Sequence, residues 1–288
     1  MKPQRLDVDQ ALPAMQALAS ELWTTAARHH PGQLAWSATY GDPEALDLGP
    51  VFVVDGAWAW LESPGWLEVC GADPEAVRAV VDAALEECRT AGVGEVTTST
   101  LETEDVALSV LADVGFEEVE SPWFTHHVLD LAGLPPVQLP EGYAVRAVRE
   151  GEHEERSAVH RAAWSPTSKV TATAYQRLMD TRPYRPETDH VVIAPDGEWV
   201  ASCCVWLDEA TGVALVEPVG CVDRYERRGL ASAASVSALT AARDLGATTG
   251  LVCPRGDDDY PAPAQLYRKI GFEPGPRTRT YRLSAGSR

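Results

Sequence analysis

The 288-residue sequence is short of basic side chains: 24 Lys and Arg stand against 43 Asp and Glu, a formal charge of −19. A chain this acidic is repelled by phosphate backbones over long range, which argues against a general nucleic-acid binder. It has no run of about 18 apolar residues, the length a membrane-spanning helix needs, so no membrane partner is expected. Residues 1–16 show no apolar stretch of about 7–15 residues after their basic side chains, so no signal peptide is expected and a cytoplasmic protein is. No C-x-x-C pair occurs among Cys70, Cys88, Cys203, Cys204, Cys221 and Cys253. Scattered through apolar segments, these read as reduced core thiols. The doublets His29–His30 and His126–His127 lack thiol or carboxylate partners at ligand spacing, and neighbours on a strand face opposite ways, so no metal is expected. What is present, 45% hydrophobic and 23% charged residues, is ordinary for a packed core and excludes a mainly disordered or collagen-like chain.

At roughly 100–200 residues per domain, this length fits two domains. The boundary falls in Leu131–Gly142, LAGLPPVQLPEG, whose three prolines and two glycines continue neither a helix nor a central strand. Domains are therefore expected at 1–133 and 142–288, joined by residues 134–141. Residues 1–140 carry 5 Lys/Arg and 23 Asp/Glu, a net −18, whereas residues 141–288 carry 19 and 20, a net −1. A polyanionic ligand is thus expected only in the second half. The halves also resemble each other: DVALSVLADVGF (Asp105–Phe116) and PAPAQLYRKIGF (Pro261–Phe272) both end in Gly-Phe, 156 residues apart. A strand-like run and a helix precede each, Trp66–Cys70 before Pro74–Thr90 and Val213–Val222 before 229–245. The pattern is that of a duplicated α/β unit.

In the second half, strands are expected at Tyr143–Val148, His190–Ala194, Trp199–Leu207, Val213–Val222, Thr249–Cys253 and Thr278–Leu283. Helices are expected at Glu152–Ala163, Tyr175–Asp180, 229–245 and Ala264–Ile270. Hairpins followed by a strand–helix–strand crossover give a mixed α/β unit with helices on both faces of its sheet.

The stretch VGCVDRYERRGLAS (Val219–Ser232) carries the chemistry. An apolar strand stops, a basic loop follows, and a helix of small residues begins. Free N–H groups and the positive dipole end at that helix start form an anion site. Gly229 lets a phosphate approach the backbone, Leu230, Ala231 and Ser232 supply the first turn, and Arg227 and Arg228 add positive charge suited to a diphosphate.

With AQLYRKIGF (Ala264–Phe272) downstream, this stretch resembles the GNAT superfamily of acyl-CoA-dependent acyltransferases. The family's phosphate motif, Gln/Arg-x-x-Gly-x-Gly/Ala, reads Glu226-Arg227-Arg228-Gly229-Leu230-Ala231 here. Glu226 replaces the usual Gln or Arg, and Asp223 stands where a proline is often found. The Leu-Tyr-x-x-x-Gly-Phe signature is complete. The resemblance covers residues 141–285 well and 45–130 in outline. It implies two tandem GNAT-like domains, each a mixed, largely antiparallel twisted sheet with helices on both faces.

The resemblance further implies acetyl-CoA as co-substrate and transfer of its acetyl group to the amine of a small molecule. It places the thioester carbonyl at a backbone N–H where the strand ends, at Cys221 and Val222, and the proton donor to the departing thiolate at Tyr267. For the general base the residues themselves offer Glu217, a carboxylate in the otherwise apolar LVEPV, where burial raises the pKa. Trp164 and Trp206 are expected at an acceptor site suited to a cationic amine. A non-catalytic acyl-CoA- or amine-binding protein and a protein N-acetyltransferase are the alternative readings, and either a monomer or a homodimer is compatible with the tandem architecture. The first half has no basic loop: Gly71-Ala-Asp-Pro follows its strand, Asp73 and Pro74 fit a helix start, and Leu111 stands where the second half has Tyr267. It reads as a degenerate GNAT domain that packs against the other or walls one side of the acceptor cleft.

Overall fold

A computed structural model describes residues 1–42, 46–257 and 259–284. Its first half runs β1 (Gln4–Leu6), α1 (Val8–Glu21), α2 (Pro31–Thr39), β2 (Val51–Val54), β3 (Ala57–Ser63), β4 (Trp66–Gly71), α3 (Pro74–Thr90), β5 (Glu95–Leu101), α4 (Asp105–Val114), β6 (Glu117–Val119) and β7 (Thr125–Asp130). The second half repeats the order: β8 (Ala144–Ala147), α5 (His153–Ala163), α6 (Ala172–Met179), β9 (Asp189–Ile193), β10 (Trp199–Asp208), β11 (Val213–Cys221), α7 (Leu230–Asp244), β12 (Thr249–Val252), α8 (Ala262–Ile270) and β13 (Glu273–Ser284). The two Gly-Phe signals end corresponding helices. Gly115 (φ +103°) caps α4 and Gly271 (φ +115°) caps α8, both in the left-handed conformation that glycine adopts without steric cost.

Strand alternation places helices on both faces of each half. In β10, Ala201, Cys203, Val205 and Leu207 pack in one core with Ala234, Ala238 and Leu239 of α7. The intervening Cys204 and Trp206 pack in another with Tyr175 and Leu178 of α6 and Ala35 of α2. The first half is built the same way. Ala57, Ala59 and Leu61 of β3 meet Val77, Val80 and Val81 of α3, while Trp58 and Trp60 meet Ala11 and Met15 of α1.

The two halves form one sheet, in the order β1-β2-β3-β4-β5-β13-β7-β12-β11-β10-β9-β8, with β6 also on β13. The pairs β4–β5 and β11–β12 are parallel and the others antiparallel. The last strands are exchanged. β7 of the first half pairs with β12, from Thr249↔Asp130 to Val252↔His127, and β13 of the second half pairs with β5, from Thr278↔Leu101 to Ser284↔Glu95. Residues 134–140 between the halves are irregular chain, yet each half's sheet is completed by the other's strand, which leaves neither inner edge unpaired. Across the junction α2 lies tightly on β10: a Cβ added to Gly32 would fall 2.1 Å from the Trp206 Cβ.

Candidate active site

α7 starts at Leu230, directly after the basic loop. Gly229 is left-handed (φ +79°), no side chain caps the helix, and a Cβ at Gly229 would meet nothing within 4 Å. The amides of Leu230, Ala231 and Ser232 are therefore left without a side-chain cap at the positive end of the dipole, with Leu230 buried and Ala231 and Ser232 half-buried. Arg227 is also left-handed (φ +61°) and exposed, and it has no partner among the described residues. Arg228 is steadied by a hydrogen bond from Nη1 to the Tyr143 hydroxyl (2.9 Å) and by the Tyr225 ring, 5.2 Å from its guanidinium carbon. Asp223 and Glu226 are exposed beside the turn without capping it.

The strand leading into this turn separates from its neighbour. β11 pairs with β12 only over Val213↔Thr249, Ala214↔Gly250 and Leu215↔Leu251, then runs on to Cys221 against β10 alone. The Val222 N–H donates to the Val200 carbonyl (2.9 Å). By the alternation of an antiparallel ladder, the Cys221 N–H then faces the other way, into the gap left by β12. This corrects the expectation of a free amide at Val222, which is already engaged in a residue only 6% exposed.

Two residues past the last β11–β12 pair stands Glu217, where the register of β11 on β10 slips between Cys203 and Val205. Its side chain borders a cavity of about 160 Å³. Burial pushes its carboxyl up to about 7, against a downward pull from Arg28 and with a smaller upward push from Glu62. Cys253 also borders the cavity, and its thiol is pushed up to about 12, chiefly by burial and then by Glu217. Tyr267 lies behind, 7% exposed, edge-on to Phe272 at 5.7 Å, with no hydrogen-bond partner for its hydroxyl among the described residues. Burial first, then Cys203, Glu217 and Cys253, raise its pKa, so the phenol keeps its proton at neutral pH.

The two tryptophans part company. Trp164 is 45% exposed, stacks on His160 (centroids 6.0 Å) and lies against Gly220 of β11, at the edge of the gap. Trp206 is fully buried, and its Nε1 donates to the Glu217 carbonyl at 2.5 Å. The expectation of Trp206 at the acceptor site is thereby corrected: it faces the inner core because β10 alternates, and its work is to hold the strand that carries Glu217.

Sequence reasoning missed the other wall of the cavity. Arg28, His30 and Gln33 come from the α1–α2 segment, and Phe124 and His126 come from β7 and the residue before it. All belong to the half whose strand is followed by no basic loop. The signal available was Arg28 beside the His29–His30 doublet, but nothing local ties residue 28 to residue 217. Burial lowers His30 to about 4 and His126 to about 3, so both imidazoles are neutral near pH 7. Among the described residues no cluster of three or more His, Cys, Asp or Glu is placed to hold a metal, and no helix is long and apolar enough to cross a membrane.

No family model and no curated protein matches this sequence. Solved structures do. A tandem GNAT protein from the clavulanic acid biosynthesis pathway covers all of both chains at 16% identity and a TM-score of 0.68. A GCN5-related N-acetyltransferase from Sphaerobacter thermophilus covers 98% of this chain and 95% of its own at 19% identity and 0.62. Another, from Kribbella flavida, covers 89% and 96% at 19% and 0.56. Likeness at this identity fixes the architecture: the chain has the tandem GNAT fold, in one open mixed sheet.

Proposed function

We propose that the chain is an acyl-CoA-dependent N-acyltransferase whose second half moves an acetyl group directly from acetyl-CoA to a small amine. The observation that carries this reading is the conjunction at β11. An uncapped, open helix start follows a strand whose free edge faces a gap, and a carboxylate with a pKa near 7 stands where the gap begins. The turn fits a diphosphate because its amides are unblocked and Arg227 and Arg228 lie within the same loop. Acetyl-CoA bound there supplies a thioester whose carbon–sulfur bond breaks as the nitrogen–carbon bond forms.

The chain's own groups handle the protons. Glu217, its carboxyl pushed up to about 7 by burial, takes the proton that the acceptor's ammonium must lose to become a nucleophile. The Cys221 N–H, turned into the gap, polarises the acyl carbonyl. Tyr267 donates its phenolic proton to the departing sulfur and recovers one from the new amide nitrogen. Cys253 takes no covalent part, since a thiol pushed up to about 12 offers almost no thiolate. The cavity of about 160 Å³ favours a small acceptor over an extended peptide.

Titration calorimetry with acetyl-CoA tests the reading, paired with release of free CoA across an amine panel. Arg228→Glu is expected to weaken acetyl-CoA binding about tenfold or more. Absent binding, or binding indifferent to the charge reversal, overturns the assignment. Binding without turnover of any amine points to a sequestering protein.

A further inference from the structure

One guanidinium on the wall of this cavity makes no side-chain hydrogen bond among the described residues. Arg28 sits in the irregular segment between α1 and α2, its backbone fixed by a hydrogen bond from its N–H to Glu104 Oε1 (3.0 Å). Its side chain is 17% exposed and borders the cavity opposite Glu217. Its ion-pair partner is Glu68, with Nη2 3.6 Å from Oε1, too long for a hydrogen bond, and Glu104 and Glu62 attract it more weakly. No hydrogen bond engages the guanidinium among the described residues, and Nε is buried without a partner. Such a group is costly to leave unmet.

We infer that Arg28 receives a carboxylate of the acceptor, so that the molecule acetylated is an amino acid or a close amino-carboxylate rather than a simple amine. This deepens the transferase reading and rests on it for the fate of the amine. Arg28 and Glu217 are the charged residues on the cavity wall, because His30 and His126 are held neutral. A zwitterion matches that pair, its ammonium on the carboxylate and its carboxylate on the planar fork. Glu62 and Glu68 also act on Arg28 and alone would favour a plain cation. They stand off the cavity wall, however, and Glu68 is 2% exposed and accepts from Trp66 Nε1 (2.8 Å). Size agrees: an enclosed site of about 150 Å³ holds a molecule the size of benzene, and 160 Å³ suits a small amino acid.

The experiment is titration calorimetry of the full chain, with coenzyme A present, against the common amino acids and their decarboxylated amines. Leucine and isoamylamine, phenylalanine and phenethylamine, and lysine and cadaverine are three such pairs. At least one amino acid is expected to bind about ten- to a hundredfold tighter than its amine. Arg28→Gln is expected to erase the difference and Arg28→Lys to restore part of it. The wild-type comparison needs no variant, so it stands even if Arg28→Gln unfolds. Equal binding within every pair, preference for the amine, or no binding of any amino acid at millimolar concentration overturns the inference. Acetylation of amines and amino acids at equal rates would sink it and leave the transferase intact. Selective binding without acetylation would do the reverse.

Discussion

The two halves share an element order and differ in what fills the same two places. Both sheets contain a parallel pair that parts early, at Leu67↔Thr98 in the first half and at Leu215↔Leu251 in the second. Two residues beyond stand Val69 and Glu217. In the first half His29 Nε2 bonds the Val69 carbonyl at 2.9 Å, and in the second Trp206 Nε1 donates to the Glu217 carbonyl at 2.5 Å, so a side chain holds the corresponding carbonyl in both. At the following helix the Asp73 carboxylate accepts from the Ala76 N–H at 2.8 Å, blocking with its own charge the amides that Gly229 leaves open. Leu111, 1% exposed, is packed where the second half has Tyr267. At its helix start the first half is thus filled where the second is open, with the core intact. The α1–α2 segment that reaches Val69 also carries Arg28 to the cavity beside Glu217.

The comparison breaks most severely if the second half is made to stand alone. Residues 142–288 would keep β12 without β7 and β13 without β5, and are expected to lose cooperative unfolding and to aggregate, as read by circular dichroism and gel filtration. A fragment that melts cooperatively and binds acetyl-CoA like the full chain would show the first half to be dispensable. Next comes the chemistry proposed for the second half. Glu217→Gln should lower kcat by about 10² to 10⁴ with little change in CoA affinity. Because a base works deprotonated, wild-type kcat should fall as pH drops below about 7, and the variant should lose that limb. Tyr267→Phe should cost about 10² or less, since a thiolate leaves with little help. The smallest effect sharpens the contrast from the other side. Asp73→Ala should cost about 1 kcal/mol of stability in denaturant titration and create no acetyl-CoA binding, because an uncapped helix without the left-handed glycine and arginines is no diphosphate site.

Local features were legible from residues alone. The α7 start, the Gly-Phe caps, the Asp73–Pro74 helix start and the duplication each rest on residues within a turn or two of one another, where steric and hydrogen-bonding rules act directly. Glu217 was legible as a carboxylate that burial must perturb. Trp206 was misplaced because an alternating strand in an apolar run gives no clue to which face meets solvent. Val222 was misplaced because ladder parity depends on the partner strand.

By itself the sequence determined the tandem α/β plan, the open turn at Gly229 and the half that carries it, since each follows from backbone preference and charge along a short span. Only the tertiary structure decided that the halves exchange their last strands and that Arg28 and His126 face Glu217 across one cavity. Pairing across a sheet joins residues far apart in the chain. The free energy that selects such a partner lies in burying two edges at once, a quantity that no stretch of either half contains.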